Sequence, residues 1–92
     1  MSKSIVQEER ECWFCGARVS LEEHHIFAGG ANRKISEKYG LKVYLCHKHH
    51  TGEEGAQYDR EKNLQLKRIA QQRFEEIYSH ELWMNVIRKN YL

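Results

Sequence analysis

Glu23-His24-His25-Ile26 and Cys46-His47-Lys48-His49-His50 hold most of the reactive chemistry in this chain. Five of its six histidines and all three cysteines fall between Cys12 and His50. The half beyond them has no comparable density of ligating side chains and reads as support.

Working outward, Cys12-Trp13-Phe14-Cys15 and Cys46-His47-Lys48-His49 form two ligand pairs, each with a two-residue gap. Such a gap lets a tight turn aim both ligands at one ion, and two turns complete a tetrahedral shell. Gly16 directly follows the first pair and allows the positive φ that turns the backbone back towards a bound ion. Soft thiolates with one imidazole select zinc over magnesium or calcium. His50 or His47 could replace His49 as fourth ligand, although the gap to His49 matches the first pair best. The competing readings are buried free thiols or a redox pair at Cys12 and Cys15.

Composition asks for such a site. With 92 residues, 40% hydrophobic and 30% charged, the chain makes one domain whose apolar core is small for its length. Domains of this size usually carry a staple, whether metal, disulfide or oligomer contact. Three cysteines cannot all pair internally, and the polar opening Ser2-Lys3-Ser4-Ile5-Val6-Gln7-Glu8 lacks a signal-peptide pattern. No apolar run approaches a membrane span. A reducing, cytoplasmic setting with cysteines as metal ligands is therefore expected. The net charge of +2 does not by itself argue for nucleic acid, but Arg33, Lys34, Lys38 and Lys42 crowd the stretch between the histidine clusters. Arg33, Lys34 and Lys38 are candidate phosphate contacts.

Along the chain, residues 1–11 read as a polar arm, frayed or briefly helical. Alternation predicts a strand over Val19–Ile26, and a cleaner one over Leu41–Leu45. Gly29, Gly30 and Asn32 predict a loop over Phe27–Lys34. A single helical turn at Ile35–Tyr39 should end at Gly40 as a left-handed cap. Cys46–Thr51 should open a brief helix or turn. From about Arg60, Leu66, Ile69, Ala70, Phe74, Ile77 and Tyr78 recur at helical spacing. Ser79 should cap a second, shorter helix through Leu82, Trp83, Val86 and Ile87. The aromatic residues there read as the apolar face of the helices, and His80 as a surface residue.

If His49 completes the zinc shell, His24, His25, His47 and His50 are left over. Antiparallel pairing of the two strands would bring the strand ending in His24-His25 close to the segment that carries His50. Histidines converging from a strand and a helix suit a hard-metal site with an adjacent base. Phosphodiester hydrolysis uses that combination: one imidazole takes a proton from water while a divalent ion stabilises the developing charge. Neighbours on a regular strand point to opposite faces, so both histidines reach one site only if the strand ends or bulges there.

Glu23-His24-His25-Ile26, a following strand and Cys46-x-x-His49-His50 resemble the HNH nucleases of the ββα-metal (His-Me finger) class in their zinc-knuckle form. The closer resemblance is to the phage recombination-enhancement, RecA-dependent nuclease family. It rests on His24-His25-Ile26-Phe27, Gly30-Ala31-Asn32-Arg33-Lys34, Ser36-Glu37-Lys38-Tyr39-Gly40-Leu41, Leu45-Cys46, His49-His50 and the tail Arg88-Lys89-Asn90-Tyr91-Leu92.

The resemblance implies an α+β fold with a small ββα-metal core stapled by a structural zinc and followed by C-terminal helices. Residues 1–11 would be the arm, 12–58 the knuckles and core, and 59–92 the helices. Cys12, Cys15, Cys46 and His49 would hold the zinc. His24 and His50 would ligate a catalytic Mg²⁺ or Mn²⁺, and His25 would be the general base. The middle asparagine of the motif has no counterpart around Gly40 or Leu41, which leaves Asn32 as candidate for a catalytic ligand or positioning role. Gln57 stands where the family carries a further histidine and is a candidate weak ligand, with Glu54 or Asp59 able to compensate. The implied activity is DNA endonuclease, the implied partners are DNA and a RecA-type recombinase filament, and the implied setting is a phage or prophage in a bacterial cytoplasm. The contrasting reading is a zinc-stapled nucleic-acid-binding or adaptor module without catalysis, which Gln57 and the absent asparagine favour.

Overall fold

The computed structural model describes residues 3–51 and 59–92. Gln57 and Glu54 lie outside the described residues. The fold is α+β: a two-stranded antiparallel sheet of β1 (Leu21–His25) and β2 (Lys42–Cys46), with one helix between the strands and three after them among the described residues. Helix α1 (Gly30–Tyr39) joins the strands, α2 (His47–His50) continues directly from β2, and α3 (Arg60–Ile77) and α4 (His80–Val86) complete the chain. None of the described helices is long and apolar enough to cross a membrane.

The register pairs His25 with Lys42, His24 with Val43, Glu23 with Tyr44, Glu22 with Leu45 and Leu21 with Cys46. Directly opposed residues share a face. One face of the ribbon therefore carries Glu22, His24, Val43 and Leu45; the other carries Leu21, Glu23, His25, Lys42, Tyr44 and Cys46. The pairing runs without a bulge and continues to Ile26, whose N–H donates to the Leu41 carbonyl at 2.9 Å.

Two segments differ from the sequence expectation. Residues 30–34 are helical rather than loop, because Gly29 and Gly30 sit at the helix entrance, where glycine is tolerated, and Ala31, Arg33 and Lys34 favour helix. The described part of the arm, residues 3–11, is hydrogen-bonded rather than helical. The Ser4 hydroxyl donates to the Lys42 carbonyl, Ile5 N–H donates to Gly40 O at 2.9 Å, and Gln7 Oε1 accepts from Tyr44 N–H at 2.8 Å. These bonds lay the arm along β2 and bury Val6.

Gly40 makes that arrangement possible. Its φ of 71° closes α1 in the left-handed conformation, and a Cβ there would meet Lys3 O at 2.1 Å. Both the turn and the close passage of the arm require glycine.

The core joins Ile26, Phe27, Leu41, Val43 and Leu45 to Leu66, Ala70, Phe74 and Trp83 of the C-terminal helices. The helical spacing read from sequence holds at Leu66, Ala70 and Phe74, whereas Ile77 and Tyr78 are exposed at the helix end. Asp59 caps α3 by accepting from Glu61 and Lys62 N–H, and Ser79 caps α4 by accepting from Leu82 N–H.

Candidate metal centre and the flanking histidines

The first turn is built by Cys12 N–H donating to Ala17 O and Gly16 N–H donating to Cys12 O, both at 2.8 Å, with Gly16 at φ 76°. Trp13 N–H donates to Tyr44 O at 2.9 Å and fastens this turn beside β2. The second turn is the junction of β2 and α2, with Cys46 at the end of the strand and His49 within the helix.

Together they bring one atom each of Cys12, Cys15, Cys46 and His49 to within 4.8 Å of one another. Cys15 Sγ lies 3.7 Å from Cys46 Sγ; His49 Nδ1 lies 3.7 Å from Cys12 Sγ and 3.2 Å from Cys46 Sγ. A tetrahedral zinc with ordinary bond lengths needs sulfur–sulfur edges of about 3.8 Å and sulfur–nitrogen edges of about 3.6 Å. The site fits a structural metal such as zinc. A sulfur separation of 3.7 Å is far longer than a disulfide bond.

The electrostatics agree with that use. Burial pushes the Cys12 thiol up, but backbone N–H groups of Cys46, Cys15 and Phe14 outweigh it and hold the thiol below its ordinary value. The Ala17 N–H pulls Cys15 down, yet its Cys12 and Cys46 neighbours prevail and raise it. A cation in the middle would relieve that crowding of thiolates. Of the three histidines that sequence left open for the fourth place, His49 is the one inside the cluster. His47 and His50 instead reach Glu22, at 3.3 and 2.6 Å.

His24 and His50 meet on one face of the ribbon, their ring centroids 5.1 Å apart. His24 is 7% exposed, and its Nε2 is buried with no hydrogen-bond partner among the described residues. Burial, with His50 and His25 nearby, pulls the His24 pKa down to about 4, so the ring is neutral and carries a lone pair at physiological pH. Glu22 is ionised, pulled down by hydrogen bonds from His50 and His47. By accepting from His50 Nδ1–H it leaves Nε2 of that ring as the lone-pair atom. A carboxylate behind an imidazole is the usual outer support of a metal-ligating histidine.

His25 lies on the opposite face. Its Nε2 is 3.0 Å from Glu37 Oε2 and 3.7 Å from Glu23 Oε1. Lys42, 4% exposed, reaches Glu37 at 3.0 Å and Glu23 at 3.4 Å. Hydrogen bonds from His25 and then Lys42 pull the Glu37 carboxyl down to about 2. Glu23, His25 and Glu37 also lie close enough to share a cation, beside the ammonium already there. The structure thus brings His24 and His50 together and separates His25 from them, because the strand stays regular through His25.

The remaining sequence candidates are placed as follows. Asn32 is exposed in the first turn of α1, and the hydrogen bonds of His25 and His50 go to Glu37 and Glu22 instead. Arg33, Lys34 and Lys38 are exposed on the same helix, with Lys38 Nζ 5.4 Å from the Tyr39 ring centroid. Asp59 is committed to capping α3. Glu22, Glu37 and Lys42 were missed as site residues. Strand alternation places Glu22 beside His24 and could have found the first; the other two needed the register and the packing of α1.

Comparison with protein-family models, with curated proteins and with solved structures gave no match.

Proposed function

We propose that this chain is a metal-dependent DNA endonuclease of the HNH, ββα-metal type, with a structural zinc at Cys12, Cys15, Cys46 and His49. The observation that carries the reading is the buried Nε2 of neutral His24, without a partner among the described residues, on a ring packed beside that of His50, which Glu22 backs. A buried polar atom without a partner costs roughly 1–3 kcal/mol, an expense that ligation of an ion would offset.

Two imidazoles with an outer carboxylate fit a divalent ion. When bound, Mg²⁺ or Mn²⁺ would stabilise charge on a phosphodiester under attack. His24 and His50 would hold that ion. Glu37, accepting from His25 Nε2–H, leaves Nδ1 as the ring atom that would take a proton from water. His25 closes the strand, and on this reading it serves a scissile phosphate at the strand's end. DNA coated by a RecA-type recombinase is the substrate the family resemblance suggests.

The test is nicking of supercoiled plasmid and of recombinase-coated DNA by zinc-loaded protein with Mg²⁺ or Mn²⁺ added. His24→Ala, His50→Ala and His25→Ala should each abolish cutting while the fold and the zinc content stay intact. Wild-type protein inert on every substrate and with every ion would overturn the reading.

One observation favours a second reading, a zinc-stapled DNA-binding module without catalysis. His25 is held by Glu37 on the face away from His24 and His50. On that reading all three histidine variants bind DNA as wild type does, and none of the four proteins cuts it.

A further inference from the structure

The C-terminal tail is built into the fold with unusual thoroughness for five residues. Beyond α4 the chain turns at Arg88, a non-glycine at φ 67°. Trp83 Nε1–H then donates to Lys89 O at 2.8 Å. Gln71, fully buried on α3, donates from Nε2 to Asn90 Oδ1 and accepts from Tyr91 N–H at Oε1, both at 2.7 Å. Arg68 Nε–H donates to Tyr91 O at 3.2 Å. Lys89 and Tyr91 are therefore fixed in backbone position against the helix that carries Lys67, one turn before Gln71.

What this fixing presents is a ring with two ammonium groups close to it. Lys67 Nζ lies 5.6 Å and Lys89 Nζ 5.3 Å from the Tyr91 ring centroid. Lys67 also lies 5.7 Å from the ring of Phe27, two residues beyond His25. Burial and the nearby Lys89 charge together lower the Lys67 pKa. Among the described residues neither ammonium has a carboxylate partner. An open pocket of about 640 Å³ lies against Lys67, Lys89 and Tyr91, and Arg60 also lines it. Of the two carboxylates on its wall, Asp59 is tied to the α3 cap and Glu61 is exposed. Two like charges lining one pocket without a counter-ion repel each other in the free protein, and an anion in that pocket relieves the repulsion.

We propose that Lys67, Lys89 and Tyr91 form a phosphodiester-binding site that takes a backbone phosphate of a DNA strand into the pocket that both ammonium-bearing side chains line. The anion's identity as DNA rests on the reading under Proposed function. The contact is to phosphate, so it positions the strand without reading its sequence. Because Lys67 also covers Phe27, the bound strand passes beside the segment that follows His24 and His25.

The experiment is fluorescence anisotropy of labelled single-stranded and duplex DNA with the zinc-loaded full chain, without added Mg²⁺ or Mn²⁺, across a salt series. Lys67→Met and Lys89→Gln keep the side-chain stems, and unchanged thermal melting checks that they fold. Each is expected to weaken binding several-fold, on the order of five-fold, near 0.1 M salt. Each should also lower the slope of log K against log salt by about 0.9 on duplex and about 0.7 on single strands. Arg73→Gln is the control, since Arg73 is exposed on α3 and paired with Glu76. An equal loss in Arg73→Gln would mean a mere net-charge effect and overturn the site, as would unchanged binding in both lysine variants. Inorganic pyrophosphate supplies the second arm: if the variants alter its competition but not DNA affinity, the site is one for small anions and the proposal falls. Absence of DNA cutting with divalent ion, alongside weakened DNA binding in the lysine variants, removes the nuclease reading and leaves this site standing.

Discussion

Replacing Cys46 with serine tests whether the Cys₃His cluster holds a structural metal. Cys46 is the hinge of the cluster: it ends β2, opens α2, and its Sγ is within 3.7 Å of Cys15 and 3.2 Å of His49. Serine keeps the size nearly unchanged but offers zinc a poor ligand, so the change isolates coordination from packing. Structural zinc in small domains contributes apparent binding free energies of roughly 10–16 kcal/mol, or about 3–4 kcal/mol for each of four ligands. For a domain of this size each kcal/mol moves the melting temperature by about 4–8 °C, so the variant should melt roughly 10–30 °C lower. The assay pairs elemental analysis with thermal melting by circular dichroism, each before and after a strong chelator. Wild type should carry one zinc per chain and lose its melting transition, or most of its height in temperature, on chelation. Cys46→Ser should carry little zinc and respond weakly to the chelator. Wild-type protein without tightly bound metal, or a variant melting within a few degrees of wild type, would refute the coordination argument.

Three further expectations follow from single residues. Gly40→Ala combines a strained φ of 71° with a Cβ running into the Lys3 carbonyl; it should cost about 2 kcal/mol or more and lower the melting temperature by roughly 8–16 °C. Gln71→Leu keeps the buried volume but strips Tyr91 N–H of its partner and Asn90 Oδ1 of one of its two donors; hydrogen exchange at the Tyr91 amide should accelerate, with a stability loss of roughly 1–3 kcal/mol. Glu37→Gln removes a carboxylate whose pKa is depressed to about 2 by His25 and Lys42. Its stabilising effect is present above its ordinary value of 4.5 and fades as pH falls towards 2, because the unfolded chain takes up the proton first. The gap in melting temperature between wild type and variant should therefore be widest at neutral pH and close in acid; a constant gap would contradict the pairing.

Much of the local structure was legible because its causes are local. Ser79 caps α4, Gly40 closes α1 and Gly16 turns the first knuckle, each through preferences that act within a few residues. The two-residue gaps of the ligand pairs likewise encode their own geometry. Misreadings arose where glycine stands at a helix entrance rather than in a loop, and where a residue's role depends on distant partners. Gly29 and Gly30 suggested a loop through Lys34, yet the helix begins at Gly30. The polar arm suggested fraying, yet its Ser4 and Gln7 side chains find backbone partners on β2, and no spacing within the arm announces them.

The sequence by itself pointed to a cluster of Cys12, Cys15, Cys46 and a nearby histidine in a small α+β domain, because three thiols and an imidazole in two short turns can converge on a single ion. It also determined that His24 and His25, as strand neighbours, would diverge unless the strand broke. Only the tertiary structure decided that it does not break. The register sends His24 to His50 and Glu22, and sends His25 to Glu37 and Lys42 on the other face. Strand register and helix packing are properties of the whole chain, set by the fit of a shared core, and no stretch of a few residues carries them.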